Sequence, residues 1–171
     1  GPGLGGHCIP VDPAYLSWKL RTLDYRARFI ELAEEVNKGM RRFVVEKISE
    51  ALNKKRKSLR GSKVLLLGVA YKKDVNDIRE SPALDIIQIL SQKGAMIAYN
   101  DPYVPFINNE DMSLRSSKLS ERLLSQQDCV LIVTDHSSYD WEKIVNSSKL
   151  IVDARNATKN VKEGREKIIK L

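Results

Sequence analysis

Apolar residues recur at steps of three and four through Phe29, Ala33, Val36, Met40, Phe43, Val44, Ile48, Ala51 and Leu52. That period predicts a long amphipathic helix from about Arg26 to Lys55. A stripe of this length cannot bury itself, so the helix reads as a connector between domains or as the spine of a dimer. The polar stretch 54–62, with Gly61 inside it, ends the helix and opens the next unit.

From Lys63 the pattern changes. Lys63 to Ala70 is a continuous apolar run, as expected of a strand buried on both faces of a parallel sheet. Ser81-Pro82 opens a helix through Leu84, Ile86, Ile87 and Leu90, which Gly94 closes. Ala95 to Tyr99 is a second strand, stopped by Asn100-Asp101-Pro102. Residues 103–118 are polar and expected to be irregular, 119–124 a short helix, 129–134 a third buried strand, 141–145 a helical turn and 150–153 a fourth strand. Strands alternating with helices predict an α/β chain built on a doubly wound parallel sheet. Residues 1–60 then form a helical leading segment and 61–171 the sheet domain.

The 171 residues and 42% apolar content suffice for one ordinary domain plus an appendage. Cys8 and Cys129 have no Cys-x-x-Cys or Cys/His ligand spacing, so neither a disulfide framework nor a metal site is indicated. A reducing, cytoplasmic setting fits this usage. No stretch is apolar enough for a membrane span, and the glycine-rich start is not a secretion signal. Net charge is +7, with much of the excess between Arg41 and Lys63. These cations lie on the polar side and end of a helical pattern without interleaved aromatic residues, so they read as a solvated face rather than a nucleic-acid site.

Candidate chemistry lies ahead of the helix, where Gly5-Gly6-His7-Cys8-Ile9-Pro10-Val11 runs into Asp12-Pro13. Glycines at 1, 3, 5 and 6 permit positive φ and let a substrate backbone or phosphate approach closely. Pro13 behind Asp12 reads as the first helical residue after an acidic N-cap. Cys8 then sits near the positive end of a helix dipole, which favours thiolate and suits a nucleophile. The plain alternative is a small buried hydrophobe, which is the reading for Cys129 inside its strand. His7 beside Cys8 invites pairing, but adjacent side chains diverge and a structural or solvent role is expected. Asp135, His136 and Ser137 are a triad in order only, since consecutive residues cannot face one another in relay geometry.

The turn after the first strand, Gly68 to Pro82, has no G-x-G-x-x-G, so this sheet is not expected to be a main NAD site. It offers phosphate the cations Lys72, Lys73 and Arg79 and a helix N-terminus at Ser81.

Five stretches, in order, carry a family resemblance: residues 1–13 with Tyr15-Leu16 and Trp18-Lys19; the turn 68–82; Asp101-Pro102-Tyr103; Thr134-Asp135-His136; and Asp153-Ala154-Arg155-Asn156. They resemble the signatures of the UDP-glucose/GDP-mannose dehydrogenase family of nucleotide-sugar 6-dehydrogenases. The resemblance implies a long connector or dimerisation helix followed by a Rossmann-like, UDP-binding parallel-sheet domain. Residues 1–60 become the catalytic-cysteine loop and central helical dimerisation segment, and 61–171 the UDP-sugar-binding domain. The implied reaction oxidises a sugar C6 alcohol through an aldehyde to a carboxylate, with NAD as cofactor and with thiohemiacetal and thioester intermediates on the cysteine. A domain bearing the NAD fingerprint is then expected upstream of Gly1, and these 171 residues alone are expected to be inactive.

By the same resemblance Cys8 is the nucleophile, and Asp12 orients the hydrolytic water or relays a proton. Gly1, Pro2, Gly3, Leu4 and Gly5 match the loop that closes on the sugar nucleotide. Tyr71, Lys72 and Arg155 match substrate contacts, with tyrosine where phenylalanine is common. Cys8, Ile9, Pro10 and Val11 border NAD, and Arg79 reaches its pyrophosphate. The tyrosine version of 70–74 and the cysteine segment look more like the UDP-N-acetylhexosamine branch than the UDP-glucose branch. The implied partners are a UDP-sugar and a second copy of the chain, in a homodimer or higher homo-oligomer through the long helix, with no nucleic acid and no membrane. A plainer view makes Lys72 and Arg79 solvated loop charges neutralised by Asp77 and Glu80, and Asp12 a cap. The alternative for the whole chain is a non-catalytic UDP-sugar-binding and dimerising module, which holds the nucleotide sugar but performs no chemistry alone.

Overall fold

The computed structural model describes residues 1–109 and 112–171. Two helices lead, α1 (Asp12–Arg21) and α2 (Arg28–Lys54), followed by β1 (Lys63–Leu67), α3 (Pro82–Gln92) and β2 (Met96–Asn100). A hairpin of β3 (Phe106–Asn108) and β4 (Ser113–Arg115) precedes α4 (Glu121–Gln126), β5 (Cys129–Ile132), α5 (Trp141–Ser147), β6 (Ile151–Asp153) and β7 (Ile168–Lys170). Five strands form one sheet in the order β2-β1-β5-β6-β7, and every neighbouring pair is parallel.

Each central strand is apolar on both faces because each face meets helices. Val64, Leu66, Cys129, Leu131 and Val152 pack with Val44, Val45, Ile48 and Leu52 of α2 and Ile86 and Leu90 of α3. Leu65, Leu67, Val130, Ile132 and Ile151 pack with Leu124 of α4 and Ile144 and Val145 of α5. The result is the expected doubly wound α/β sandwich.

Helix ends follow local chemistry. Ser81 caps α3, its side chain accepting from Ala83 N–H, with Pro82 as the first helical residue. α2 ends in a Schellman turn: Lys57 N–H donates to Leu52 O and Arg56 N–H to Asn53 O, with Arg56 at φ 58°. The C-terminal half of α2 thus joins the sheet core, whereas Phe29, Leu32 and Val36 of its N-terminal half stay exposed. α1 is tied to this outer half by Arg21, whose Nε and NH2 donate to Glu31 Oε1 at 2.9 and 2.7 Å.

Several expectations need correction. Asp12 is not the N-cap of α1: Val11 holds that position without a side-chain cap, and Asp12 is already helical. Residues 103–118 are not simply irregular, since they contain the β3–β4 hairpin; positions 110 and 111 lie outside the described residues. The basic tract is not wholly solvated either. Arg41 is buried between α2 and α3 with Nε 2.6 Å from Asp85 Oδ2, an ion pair not aligned as a hydrogen bond. Cys129 is a core thiol, as expected.

Candidate functional site

The candidate residues gather beyond the carboxyl ends of the strands. β1 stops at Leu67 because Gly68 turns at φ +79° and packs on the β5 turn, where a β-carbon would stand 2.4 Å from Thr134 O. The turn that follows is shaped by Asp101, a buried carboxylate at the end of β2. Its Oδ2 accepts Val69 N–H at 2.7 Å, Ala70 N–H at 3.1 Å and His136 Nε2–H at 3.0 Å. Its Oδ1 accepts Tyr103 N–H and Val104 N–H at 2.8 and 3.1 Å. Burial pushes the Asp101 carboxyl up, but His136 and the N–H groups of Val69, Tyr103 and Ala70 outweigh it and hold it below the ordinary range.

Tyr71 and Lys72 sit at the crest of this turn. Tyr71 is half-buried, and its N–H donates to Asp77 O at 2.9 Å. Lys72 is exposed and has neither hydrogen bond nor ion pair among the described residues, leaving its ammonium available to an anion. Arg79 is already engaged: its Nε and NH2 grip the Asp77 carboxylate at 3.0 and 2.6 Å. Hydrogen bonding to Asp77 and its negative charge raise the Arg79 value, with smaller contributions from Tyr71 and Cys8. Asp77 therefore does neutralise Arg79, and Cys8 lies within electrostatic range of the guanidinium.

Cys8 arrives there on the N-terminal loop, which straps across the strand ends. A β-carbon on Gly1 would touch Arg155 NH1 at 3.5 Å, and one on Gly3 would touch Asn37 and Pro82. Pro2 is buried, and Leu4 is pinned to α2, its N–H donating to Asn37 Oδ1 at 2.6 Å. Gly6 N–H donates to Arg79 O at 3.1 Å, and a β-carbon on Gly5 would meet Glu80 O at 2.5 Å, closer than atoms can approach. The loop ends in a tight turn in which Val11 N–H and Asp12 N–H both donate to Cys8 O, at 3.2 and 2.8 Å. Asp12, Cys8, Ile9 and Val11 are exposed and Pro10 half-buried. His7 and Cys8 do not diverge as expected: His7 Nδ1 lies 4.0 Å from Cys8 Sγ.

Arg155 follows β6, where Asp153 accepts Arg155 N–H and Ala157 N–H on Oδ1 at 3.0 and 3.1 Å and fixes the turn. The Arg155 guanidinium donates from Nε to Asp135 Oδ1 at 3.1 Å. It borders a 370 Å³ cleft with Gly1, Asn156 and Lys170, and a larger 660 Å³ groove along Leu4, Phe29, Val36 and Met40 of the α2 side. Neither cavity includes Lys72 or Cys8. The structure therefore seats the cysteine loop on the Tyr71 turn and joins Gly1 to Arg155, without closing all of them into one pocket. Sequence reasoning missed Asp101 and His136 as the frame beneath this surface.

An open, doubly wound parallel sheet with its candidate chemistry beyond the strand ends is the class of fold that takes nucleotides there. The comparison with known proteins narrows the class. The chain belongs to the UDP-glucose/GDP-mannose dehydrogenase family: the family's UDP binding domain matches residues 65–160 and its central domain residues 1–39. A UDP-N-acetyl-D-mannosamine dehydrogenase of Methanococcus maripaludis is 30% identical over 164 residues, covering 91% of this chain and 36% of its own. One from Campylobacter jejuni is 36% identical over 142 residues, covering 81% of this chain and 33% of its own. The solved structure of the UDP-D-ManNAc dehydrogenase from Pyrococcus horikoshii matches with a TM-score of 0.80 at 31% identity, covering 99% of this chain and 38% of that one. The chain spans about a third of the length of these curated relatives.

Proposed function

We propose that the chain is the carboxyl-terminal part of an NAD-dependent nucleotide-sugar 6-dehydrogenase that oxidises a UDP-hexose or UDP-N-acetylhexosamine to the uronate. The observation that carries this reading is the hydrogen bond from Gly6 N–H to Arg79 O, which lays the loop bearing the exposed Cys8 against the turn bearing the free Lys72. An exposed thiol and an unpaired cation thereby lie on two adjoining loops. Relatives named for UDP-N-acetylhexosamines favour that branch of substrate. In this reading residues 1–60 carry the thiol and the dimer surface, and 61–171 carry the nucleotide.

Lys72 and Arg155 would hold the sugar nucleotide, with Tyr71 and the loop Gly1–Gly5 closing over it. Cys8 Sγ adds to the C6 aldehyde carbon, holding it first as a thiohemiacetal and then as the thioester. Asp12 lies beside Cys8 through its own N–H bond to Cys8 O and orients the water that frees the carboxylate and returns the thiol.

NAD fits this chain only in part. The sheet's own first turn is shut by the packing of Gly68 on Thr134, so it offers no glycine cradle for a dinucleotide. The exposed Cys8, Ile9 and Val11 with Pro10 follow directly on Gly6, whose N–H is bonded to Arg79 O, and would border the cofactor. When bound, NAD supplies the hydride acceptor for both oxidations.

Cys8→Ser in the intact protein tests the reading. A hydroxyl is a far weaker nucleophile of nearly the same volume, so uronate formation should stop while UDP-sugar binding persists. Parental uronate formation by the serine variant would overturn the assignment of Cys8 as the nucleophile, whereas UDP-sugar binding without uronate formation by the parental protein would favour a non-catalytic binding module.

A further inference from the structure

We propose that His136 is a positioning residue for Lys72, clasping the two ends of the turn 70–74 so that the lysine stands free to meet a diphosphate. This role rests on the reading of Lys72 as a UDP contact.

The His136 ring follows β5 and is 0% exposed, yet both of its nitrogens are bonded. Nδ1 accepts Asp74 N–H at 2.9 Å, so by the hydrogen-bond network the ring proton sits on Nε2 and is donated to Asp101 Oδ2 at 3.0 Å. The same Asp101 oxygen accepts Ala70 N–H at 3.1 Å. One imidazole and one carboxylate therefore bridge Ala70 to Asp74, and the residues between are Tyr71, Lys72 and Lys73. The rings of Tyr103 and Tyr139 lie 5.0 and 5.7 Å from the imidazole and fix its plane.

Asp74 shows why a clasp is needed. It holds φ 61°, a left-handed conformation that a non-glycine residue keeps only when its surroundings over-determine it. Its N–H is held by His136, and its carboxylate accepts Ser137 N–H at 2.8 Å and Ser137 Oγ–H at 2.6 Å. These bonds come from the β5 turn, and Tyr103 Oη adds a 3.5 Å contact to Asp74 Oδ1, so the β5 turn together with Asp101 after β2 sets the shape of the turn after β1. An apolar side chain would fill the same core space. The imidazole adds direction, because each nitrogen has one partner. Held in this shape, the turn presents Lys72 without an internal partner, and less ordering remains to be done when an anion binds.

Two substitutions divide the clasp. Gln at 136 places an amide donor where Nε2 was but loses the acceptor at Nδ1, whereas Asn places an acceptor near Nδ1 and loses the donor. In the intact protein, His136→Gln should speed hydrogen exchange at the Asp74 amide and weaken UDP binding, read by calorimetry, by roughly three- to tenfold. His136→Asn should retain Asp74 protection and most of the affinity, while lowering the melting temperature through the lost Asp101 bond. Lys72→Ala alone should weaken UDP binding roughly tenfold or more, and adding His136→Gln to it should weaken binding no further. Equal losses in the Gln and Asn variants, or an undiminished His136→Gln effect without Lys72, would show a general packing role and overturn the proposal. An unchanged UDP affinity in Lys72→Ala would sink the reading of Lys72 and the positioning role with it, while exchange at Asp74 would still decide whether the clasp exists.

Discussion

Gly6 faces the ring of Tyr71 so closely that a β-carbon on the glycine would stand 2.7 Å from Tyr71 Cε2. Gly6 also holds φ +95°, a conformation that side-chain-bearing residues rarely adopt. Gly6→Ala should therefore cost about 1–3 kcal/mol through strain and lift the cysteine loop off the turn. Uronate formation by the intact protein should fall more than its UDP affinity. Parental melting temperature and turnover in the alanine variant would mean that the loop is not seated on Tyr71 in solution.

The two thiols should differ in reactivity. Cys8 is exposed, whereas Cys129 is buried in β5 and burial pushes its thiol up to about 12. Iodoacetamide at neutral pH should alkylate Cys8 alone in the native protein and both cysteines after denaturation, as read by peptide mass spectrometry. Rapid native labelling of Cys129 would contradict the sheet assignment.

Asp101 should make stability depend on acid. Its folded value lies below the ordinary 3.8, so its contribution is present above that value and is lost as the pH falls through the lower, folded one. Asp101→Asn should cost about 1–3 kcal/mol at neutral pH by unsettling its buried partners. Urea midpoints taken from pH 6 down to 3 should show the gap between parental and variant proteins narrowing at the acid end. A gap that stays constant across this range would remove Asp101 from the linkage.

The outer half of α2 should be an interface between copies of the chain. Phe29 is 91% exposed and Val36 58%, on a helix whose other half packs Val44, Val45, Ile48 and Leu52 into the sheet core. Val36→Glu should convert the intact protein from dimer to monomer in light scattering while leaving the sheet domain folded. A soluble dimer of unchanged mass would move the interface elsewhere.

Much of this architecture is legible in local pattern, because strands apolar on both faces and helices with one apolar side announce themselves within a few residues. Lys63 to Ala70 reads as one strand, and the structure shortens it to Leu67 because Gly68 turns while Val69 and Ala70 remain buried above the sheet. The β3–β4 hairpin is not legible, since its strands are three residues long and carry polar residues at Asn108, Ser113 and Arg115. β7 is similarly hidden: Ile168 and Ile169, flanked by lysines, form a strand only by pairing with β6. In the site, the cysteine loop stands out because glycines, prolines and a thiol crowd one short segment. The Asp101–His136 pair does not, because its members are 35 positions apart and read locally as a turn signal and a false triad.

The bonds that shape the Lys72 turn are also long-range in the chain, joining positions 32 apart for Val69 to Asp101 and 62 apart for Asp74 to His136. Closing such loops costs entropy before any contact repays it, so these bonds form late, after β2 and β5 have docked on β1. A chain with β1 and β2 paired but β5 still loose would have the lysine and lack the clasp. On the reading of Lys72 as a UDP contact, UDP binding should report completed assembly of the sheet, and UDP added during refolding should capture finished molecules without rescuing half-built ones.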